Sequence, residues 1–568
     1  MRRTKQLTFP GDPMTLAEIA PDPGADYGEV FTRRWVVDFI LDLVGYTADR
    51  DLAASTLIEP SCGTGAFMVP IVERLIASAA LHGRDVRTLG PAIRAFDLLE
   101  ANASLARKAS ANLLALAGLS DDEAKALAAE WITTGDFLLH PHEPASADYV
   151  VGNPPYIRLE NVPRPVMDAY RRICPTMRGR ADIYVGFIER GLDLLKDDGA
   201  LSFICADRWM RNQYGADLRE LITSDYSVET VIAMHDVDAF EDDVSAYPAV
   251  FVLRNATQRS AAVVDASGSF GERDAARLSK WLGSGRKPSQ TSRSYEATRV
   301  ETWFQGRDLW PAGSPAQLSL IADLEARFPP LQDAATGTRV GIGVATGCDE
   351  VFITRDPDLV EQDRLLPLLT GGDIAGGQPD WSGKYLVNPW DESGLVDLAD
   401  HPRLAAYMSE HSRRLRSRHV AMQRPQAWYR TIDRVDHRLT DRPKLLLPDM
   451  KSAAHPVLDE GGHYPHHNLY FVVSDRWDPE VLGGLLLSEI ANLFVGAYCV
   501  KMRGGTYRFQ AQYLRRIRVP DPATIRARDR MALAAAFAAR DHAKATRIAA
   551  RLYGVADVPS SRPASVLT

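Results

Sequence analysis

Four consecutive residues, Asn153-Pro154-Pro155-Tyr156, bring together a side-chain amide, two prolines and a phenol ring. The prolines fix the backbone, remove two N–H donors and hold Asn153 and Pro154 extended, so the strand that arrives through Asp148-Tyr149-Val150-Val151 has to stop. The Asn153 side-chain oxygen and the Pro154 carbonyl can then converge on one NH2 group, while Tyr156 presents a ring face to a flat heterocycle. Such a corner suits methylation of an amine whose lone pair is delocalised into a ring. Two acceptors drawing on its hydrogens favour a pyramidal nitrogen that can attack an electrophilic methyl group, and positioning takes the place of a strong base. The bland alternative is a loop breaker, and the placement at a strand end counts against it.

A second group precedes this corner. In Ile58–Phe67, IEPSCGTGAF, a strand runs into a small-residue turn in which Gly63 and Gly65 let the backbone approach a ligand, with a helix expected over Gly65–Ala80. Met68 stands where the third glycine of a dinucleotide fingerprint belongs, and the chain holds no phosphate-binding G-x-x-x-x-G-K-[ST] run. Asp97 closes the next strand, where a carboxylate can accept from two ribose hydroxyls, and Asp136-Phe137 closes the third, suited to an adenine amine and ring face. Either aspartate alone also fits a helix or turn cap.

The elements that must position these residues read as strand–helix alternation. Short apolar strands end near Glu59, Asp97, Phe137 and Asn153; helical spacing covers Ala101–Leu119; and a further helix starts at Asp182 and ends at Gly199, before the strand Ala200–Asp207. This alternation implies an α/β fold with a mainly parallel sheet and ligands at the C-terminal strand ends. The expected domain order is an N-terminal extension 1–26, a catalytic domain 27–264, a linker or surface excursion 265–294, a second domain 295–520, and a C-terminal helix and tail 521–568 with the helix over Arg526–Tyr553.

Composition bounds the class. No apolar run of the chain's 568 residues approaches membrane-spanning length, and a secretory signal is not evident, so the expected location is the cytoplasm. Five scattered cysteines without a C-x-x-C pair point to reduced, mostly buried thiols. The net charge of −8 conceals two basic windows: residues 413–451 carry eleven Lys or Arg against four Asp, and residues 501–518 carry six against none. Such surfaces can grip phosphates. His463, His466 and His467 lack further ligands at fixed spacing and are read as polar loop contacts, with no metal expected.

Taken together, the glycine-containing turn, the Asn-Pro-Pro-Tyr corner and the separate C-terminal region resemble the gamma-class N6-adenine DNA methyltransferases of bacterial restriction-modification systems. The resemblance implies a Rossmann-like catalytic domain with a mixed seven-stranded sheet, a C-terminal α+β target-recognition domain, and S-adenosylmethionine as cofactor. It implies that Asn153, Pro154, Pro155 and Tyr156 are catalytic, that Glu59, Pro60, Ser61, Gly63 and Gly65 line the methionine end, that Asp97 binds ribose and that Asp136 and Phe137 hold the cofactor adenine. Tyr27–Thr32, YGEVFT, resembles the N-terminal cofactor motif with Thr32 at the methionine carboxylate, although Arg33 stands where that family has proline. Phe240 resembles the aromatic that sandwiches a flipped base against Tyr156.

The implied partners are double-stranded DNA and a cognate restriction endonuclease or defence-system proteins. Extruding a base requires a grip on the duplex, assigned to Arg413, Arg414, Arg416, Arg418, Arg503, Arg508, Arg515 and Arg516. The rival readings are a methyltransferase acting on RNA or a protein glutamine amide, which needs no basic second domain, and a non-catalytic DNA-specificity subunit, which needs no intact corner. A fused nuclease has no room in the 26 residues before Tyr27.

Overall fold

The computed structural model describes residues 30–241, 247–285, 287–502 and 506–559. The N-terminal extension, Tyr27–Glu29 of the cofactor motif, Arg503 and the tail from Ser560 lie outside the described residues. The chain divides into two compact units between Pro315 and Ala316.

The first unit is built on one mixed sheet. Its strands are β1 (Leu57–Glu59), β2 (Ile93–Asp97), β3 (Ile132–Thr134), β4 (Ala147–Gly152), β5 (Leu195–Ala206), β6 (Ser227–Ala233), β7 (Pro248–Arg254), β8 (Ala261–Ala266), β9 (Ser289–Thr291) and β10 (Tyr295–Val300). They lie in the order β3-β2-β1-β4-β5-β7-β6-β8-β10-β9. The first five run parallel, and β7 inserts antiparallel between β5 and β6. Central strands of this kind are apolar on both faces because helices cover both: β1 is buried throughout and β7 is buried up to its last residue. The chain builds β1, β2 and β3 outward and then returns to place β4 beside β1. That reversal opens a crevice at the carboxyl ends of β1 and β4, the place where α/β sheets take ligands.

Four expectations are corrected. The sheet has ten strands where seven are expected, because β8, β10 and β9 continue it beyond β6. The stretch 265–294 is therefore not a linker. It holds the helix Glu272–Ser284, which buries Ala275, Leu278 and Trp281, and the first unit runs on to Pro315. The helix expected to reach Gly199 ends at Asp193, and Leu195–Ala206 form one long strand that begins beside Ala147. The helix expected from Gly65 starts later, over Met68–His82, so Gly63–Phe67 form a turn.

The second unit mixes small sheets and helices, an α+β arrangement. Four antiparallel strands, Arg339–Ile342, Leu469–Val473, Lys444–Pro448 and Val457–Asp459, form one sheet. Helix Pro479–Leu486 packs on Ala527–Ala538 closely enough that a side chain at Gly483 or Gly484 would strike Phe537 or the Leu533 carbonyl. The segment from 521 thus belongs to this unit, and the single helix expected over Arg526–Tyr553 breaks at Arg540, whose φ is +53°. Among the described residues no single helix is long and apolar enough to cross a membrane.

Candidate active site

The order β3-β2-β1-β4 sets four polar residues side by side along one edge: Asp136 just past β3, Asp97 ending β2, Glu59 ending β1 and Asn153 just past β4. A cleft opens there. Of the residues singled out from sequence, Thr32, Pro60, Ser61, Gly63, Asp97, Asp136, Phe137, Asn153 and Pro155 line it. Glu59 and Pro154 are buried, and Gly65, with φ of +109°, packs its Cα face toward Ala106 rather than toward the cleft.

Asn153 carries the most informative geometry. Its Nδ2 donates to the Val30 carbonyl at 2.9 Å and to Thr32 Oγ1 at 3.2 Å. A carbonyl can only accept, so this contact fixes which end of the amide is nitrogen and turns Oδ1 the other way. Oδ1 is buried and has no hydrogen-bond partner among the described residues. A buried acceptor of this kind costs free energy unless a ligand satisfies it. Ser61 Oγ donates to the Asn153 carbonyl at 3.1 Å, tying the turn after β1 to the corner after β4.

The carboxylates divide into two kinds. Asp97 accepts from the backbone N–H groups of Gly63 and Leu99, both at 2.9 Å, so it holds the glycine turn as well as facing the cleft. Asp136 accepts from Leu138 N at 2.9 Å and from the Tyr170 hydroxyl at 2.6 Å, and burial raises its pKa. Glu59 is fully buried, accepts from Ser61 N at 3.3 Å through Oε1, and leaves Oε2 without a partner among the described residues. Burial pushes its carboxyl well above the ordinary value. No side chain fits at Gly152, where a Cβ would lie 2.5 Å from Glu59 Oε1.

Aromatic packing shapes the rest. Phe137 stacks on Phe187 with centroids 5.4 Å apart. The sequence reading missed Phe31, Tyr170, Ile183 and Phe187 in the lining. Ile183 and Phe187 are four apart, a helical spacing that was visible, but nothing in it distinguishes a cleft wall from core. Tyr156 and Phe240 meet edge to face, 6.5 Å and 85° apart, rather than as the parallel sandwich expected. A flat base between two rings needs them face to face and about 7 Å apart.

The match to known proteins agrees with this architecture. Residues 97–240 match the Eco57I restriction-modification methylase model. The chain is 43% identical over 536 residues to the Type II methyltransferase M.XhoI of Xanthomonas vasicola, covering 93% of this chain and 97% of that protein. The chain belongs to the Type II methyltransferases. It is 45% identical over 533 residues to M.PaeR7I of Pseudomonas aeruginosa, covering 93% and 92% of the two chains. In fold it is similar to the solved structure of the Type IIL restriction-modification enzyme MmeI in complex with DNA, with a TM-score of 0.57 at 12% identity over 93% of this chain and 74% of that one.

A methyltransferase of this family takes its methyl group from S-adenosylmethionine, and the residues present fit that group. The cleft offers ring faces at Phe137 and Phe31, acidic acceptors at Asp97 and Asp136, and beside it the orphaned, buried Glu59 oxygen.

The basic windows are corrected more sharply. Arg418 donates to the carbonyls of Leu415, Thr346, Trp428 and Arg430 at 2.8–3.1 Å and stacks over Phe352, so its guanidinium is committed to the fold. Arg515 donates twice to the Val340 carbonyl, and Arg516 pairs with Glu325 and lies over Tyr498. Arg414 pairs with Glu350, Arg416 lies 4.4 Å over Trp428, and Arg508 sits 3.5 Å from Asp449. Arg413 is exposed. His466 Nε2 lies 3.1 Å from Asp349 Oδ2 with the His467 ring 4.0 Å away, while His463 pairs with Asp459.

Proposed function

We propose that this chain methylates the N6 amine of adenine at a specific site in duplex DNA, as the modification component of a restriction-modification or defence system. The observation that carries the reading is the buried Asn153 Oδ1 at the rim of the cleft, without a partner among the described residues and with its direction fixed by Val30 and Thr32. When bound, S-adenosylmethionine supplies the electrophilic methyl group. Everything else is positioning by this chain. Asn153 Oδ1 and the Pro154 carbonyl accept the two amine hydrogens, which localises the nitrogen lone pair for attack. Tyr156 presents its ring to the base and Phe240 lies across from it, although one of the two rings has to turn before a base can stack between them. The proton is lost once the nitrogen carries its fourth bond, and no side chain needs to act as a strong base.

An adenine inside a duplex cannot reach this corner, so the nucleotide is extruded at a cost of a few kcal/mol in stacking and pairing. The second unit serves as the target-recognition domain, with Arg413, Arg414 and Arg508, three of the exposed arginines of the windows, as its candidates for phosphate contact. The decisive test is transfer of labelled methyl from S-adenosylmethionine to duplex DNA, followed by nucleoside analysis. N6-methyladenine at one mapped sequence is the expected product. Methylated cytosine, or transfer only to RNA or to a protein glutamine, would overturn the assignment.

A further inference from the structure

The segment Phe31–Arg33 lies against Ala239–Glu241. Arg33 N donates to the Ala239 carbonyl at 3.0 Å, Glu241 N donates to the Phe31 carbonyl at 2.9 Å, and Thr32 stands opposite Phe240 in a single antiparallel bridge. Successive side chains of extended backbone point to opposite faces. Thr32 accordingly turns toward Asn153, accepting from its Nδ2, while Arg33 turns away and spreads its guanidinium between Asp238 at 2.9 Å and Glu241 at 3.3 Å. These two acids bracket Phe240 in the sequence. One short segment therefore orients the acceptor amide with one residue and fastens the aromatic segment with the next.

We propose that Arg33 is a positioning residue for methyl transfer: its clasp on Asp238 and Glu241 sets Phe240 relative to Asn153. This rests on the reading above, in which Phe240 walls the target-base pocket. Proline, expected at this position from the resemblance, would have no N–H to give Ala239 and no charge to give the acids, so the clasp depends on arginine standing here. Its value lies in geometry more than in stability. Arg33 is one-third exposed and both acids are more than half exposed, and ion pairs of that kind contribute little to folding.

The test uses the full chain, saturating S-adenosylmethionine and a duplex carrying the mapped site with 2-aminopurine next to the target adenine. Single-turnover rate, cofactor affinity and the fluorescence rise on base extrusion are measured for R33A, R33K, R33D/D238R and F240A. The expected result is a rate about tenfold lower for R33A with a smaller fluorescence rise, cofactor affinity within twofold of the parent, partial activity for R33K, and recovery of most of the rate in R33D/D238R. An impaired F240A beside an unimpaired R33A would overturn the clasp alone. An unimpaired F240A would withdraw Phe240 from the pocket and take the proposal with it. Loss of cofactor affinity in step with rate would assign Arg33 to the cofactor segment instead. Should R33A fail to fold, R33K and the charge swap decide: a swap that recovers nothing overturns the proposal.

Discussion

Asn153 in the first unit and Arg418 in the second are both anchored through their donors to oxygens nearby, and the anchoring leaves opposite remainders. Two contacts hold the Asn153 amide and leave its oxygen buried and open. Four carbonyls take four of the five N–H groups of the Arg418 guanidinium and leave it little to offer a phosphate. The contrast lies in the number of donors. An amide nitrogen brings two hydrogens and a separate acceptor, so fixing one end aims the other. A guanidinium is all donor, with five N–H groups in a plane, and a fold short of partners for loop carbonyls can spend the whole fork internally. A polar residue is therefore a better guide to a ligand site when its neighbours cannot satisfy it completely.

Substitutions at these two positions and beside them should separate the two kinds of residue. The largest effect is expected for Asn153→Ala, which should lower the methyl-transfer rate by about 10²–10³-fold or more while cofactor affinity, read by calorimetry, stays within a fewfold. A parent-like rate would remove the open acceptor from the chemistry. Arg418→Ala should cost about 2–4 kcal/mol of stability by stranding several carbonyls, visible as a fall in the melting temperature of the second unit. A variant that melts like the parent but binds DNA less well would reverse the contrast.

Glu59→Gln should weaken cofactor binding by about tenfold and yet raise the melting temperature of the cofactor-free chain by a few degrees. The sign follows from burial. A carboxyl whose folded-state pKa lies above its unfolded value favours folding at low pH, and that contribution is lost as pH rises through the folded value. The glutamine variant escapes this loss, so its advantage should widen with pH up to the folded value; a constant or shrinking difference would mean that the fold does not raise the Glu59 pKa. The smallest effect is expected for Arg413→Ala with Arg414→Ala. The melting temperature should stay put while the salt dependence of DNA binding becomes shallower by about two in slope. An unchanged slope would take both away from the phosphates.

The legibility of the chain follows the same division. Residues placed by the path of the backbone were readable, because a strand end, a proline pair or a tight glycine turn fixes where a side chain can be. Glu59, Asp97, Asp136 and Asn153 reached adjacent strand ends for that reason. The extension of the sheet was not readable. Strand β9 is Ser-Gln-Thr, with no apolar alternation, and the helix before it buries only three side chains, so the stretch looks like surface loop until β10 is seen pairing with both β8 and β9. Tyr170 was missed because its signal is a hydroxyl 34 positions away from the carboxylate it caps. The arginine windows misled because charge density carries no direction: eleven cations in a row of residues do not say which ones face water.

The two ends of the large sheet carry a consequence for the protein at high concentration. Its middle strands β4, β5, β7 and β6 are longer and largely buried, the sort of surface on which chains stack, yet it begins on the three residues of β3 and finishes on the three of β9, two of which are exposed. Brief, hydrophilic borders give a second molecule few unpaired amides to zip against. A broad sheet can thus stay monodisperse without closing into a barrel, and a substitution that lengthened β9 with valine or isoleucine would invite aggregation long before it disturbed the chemistry toward the opposite edge of the sheet.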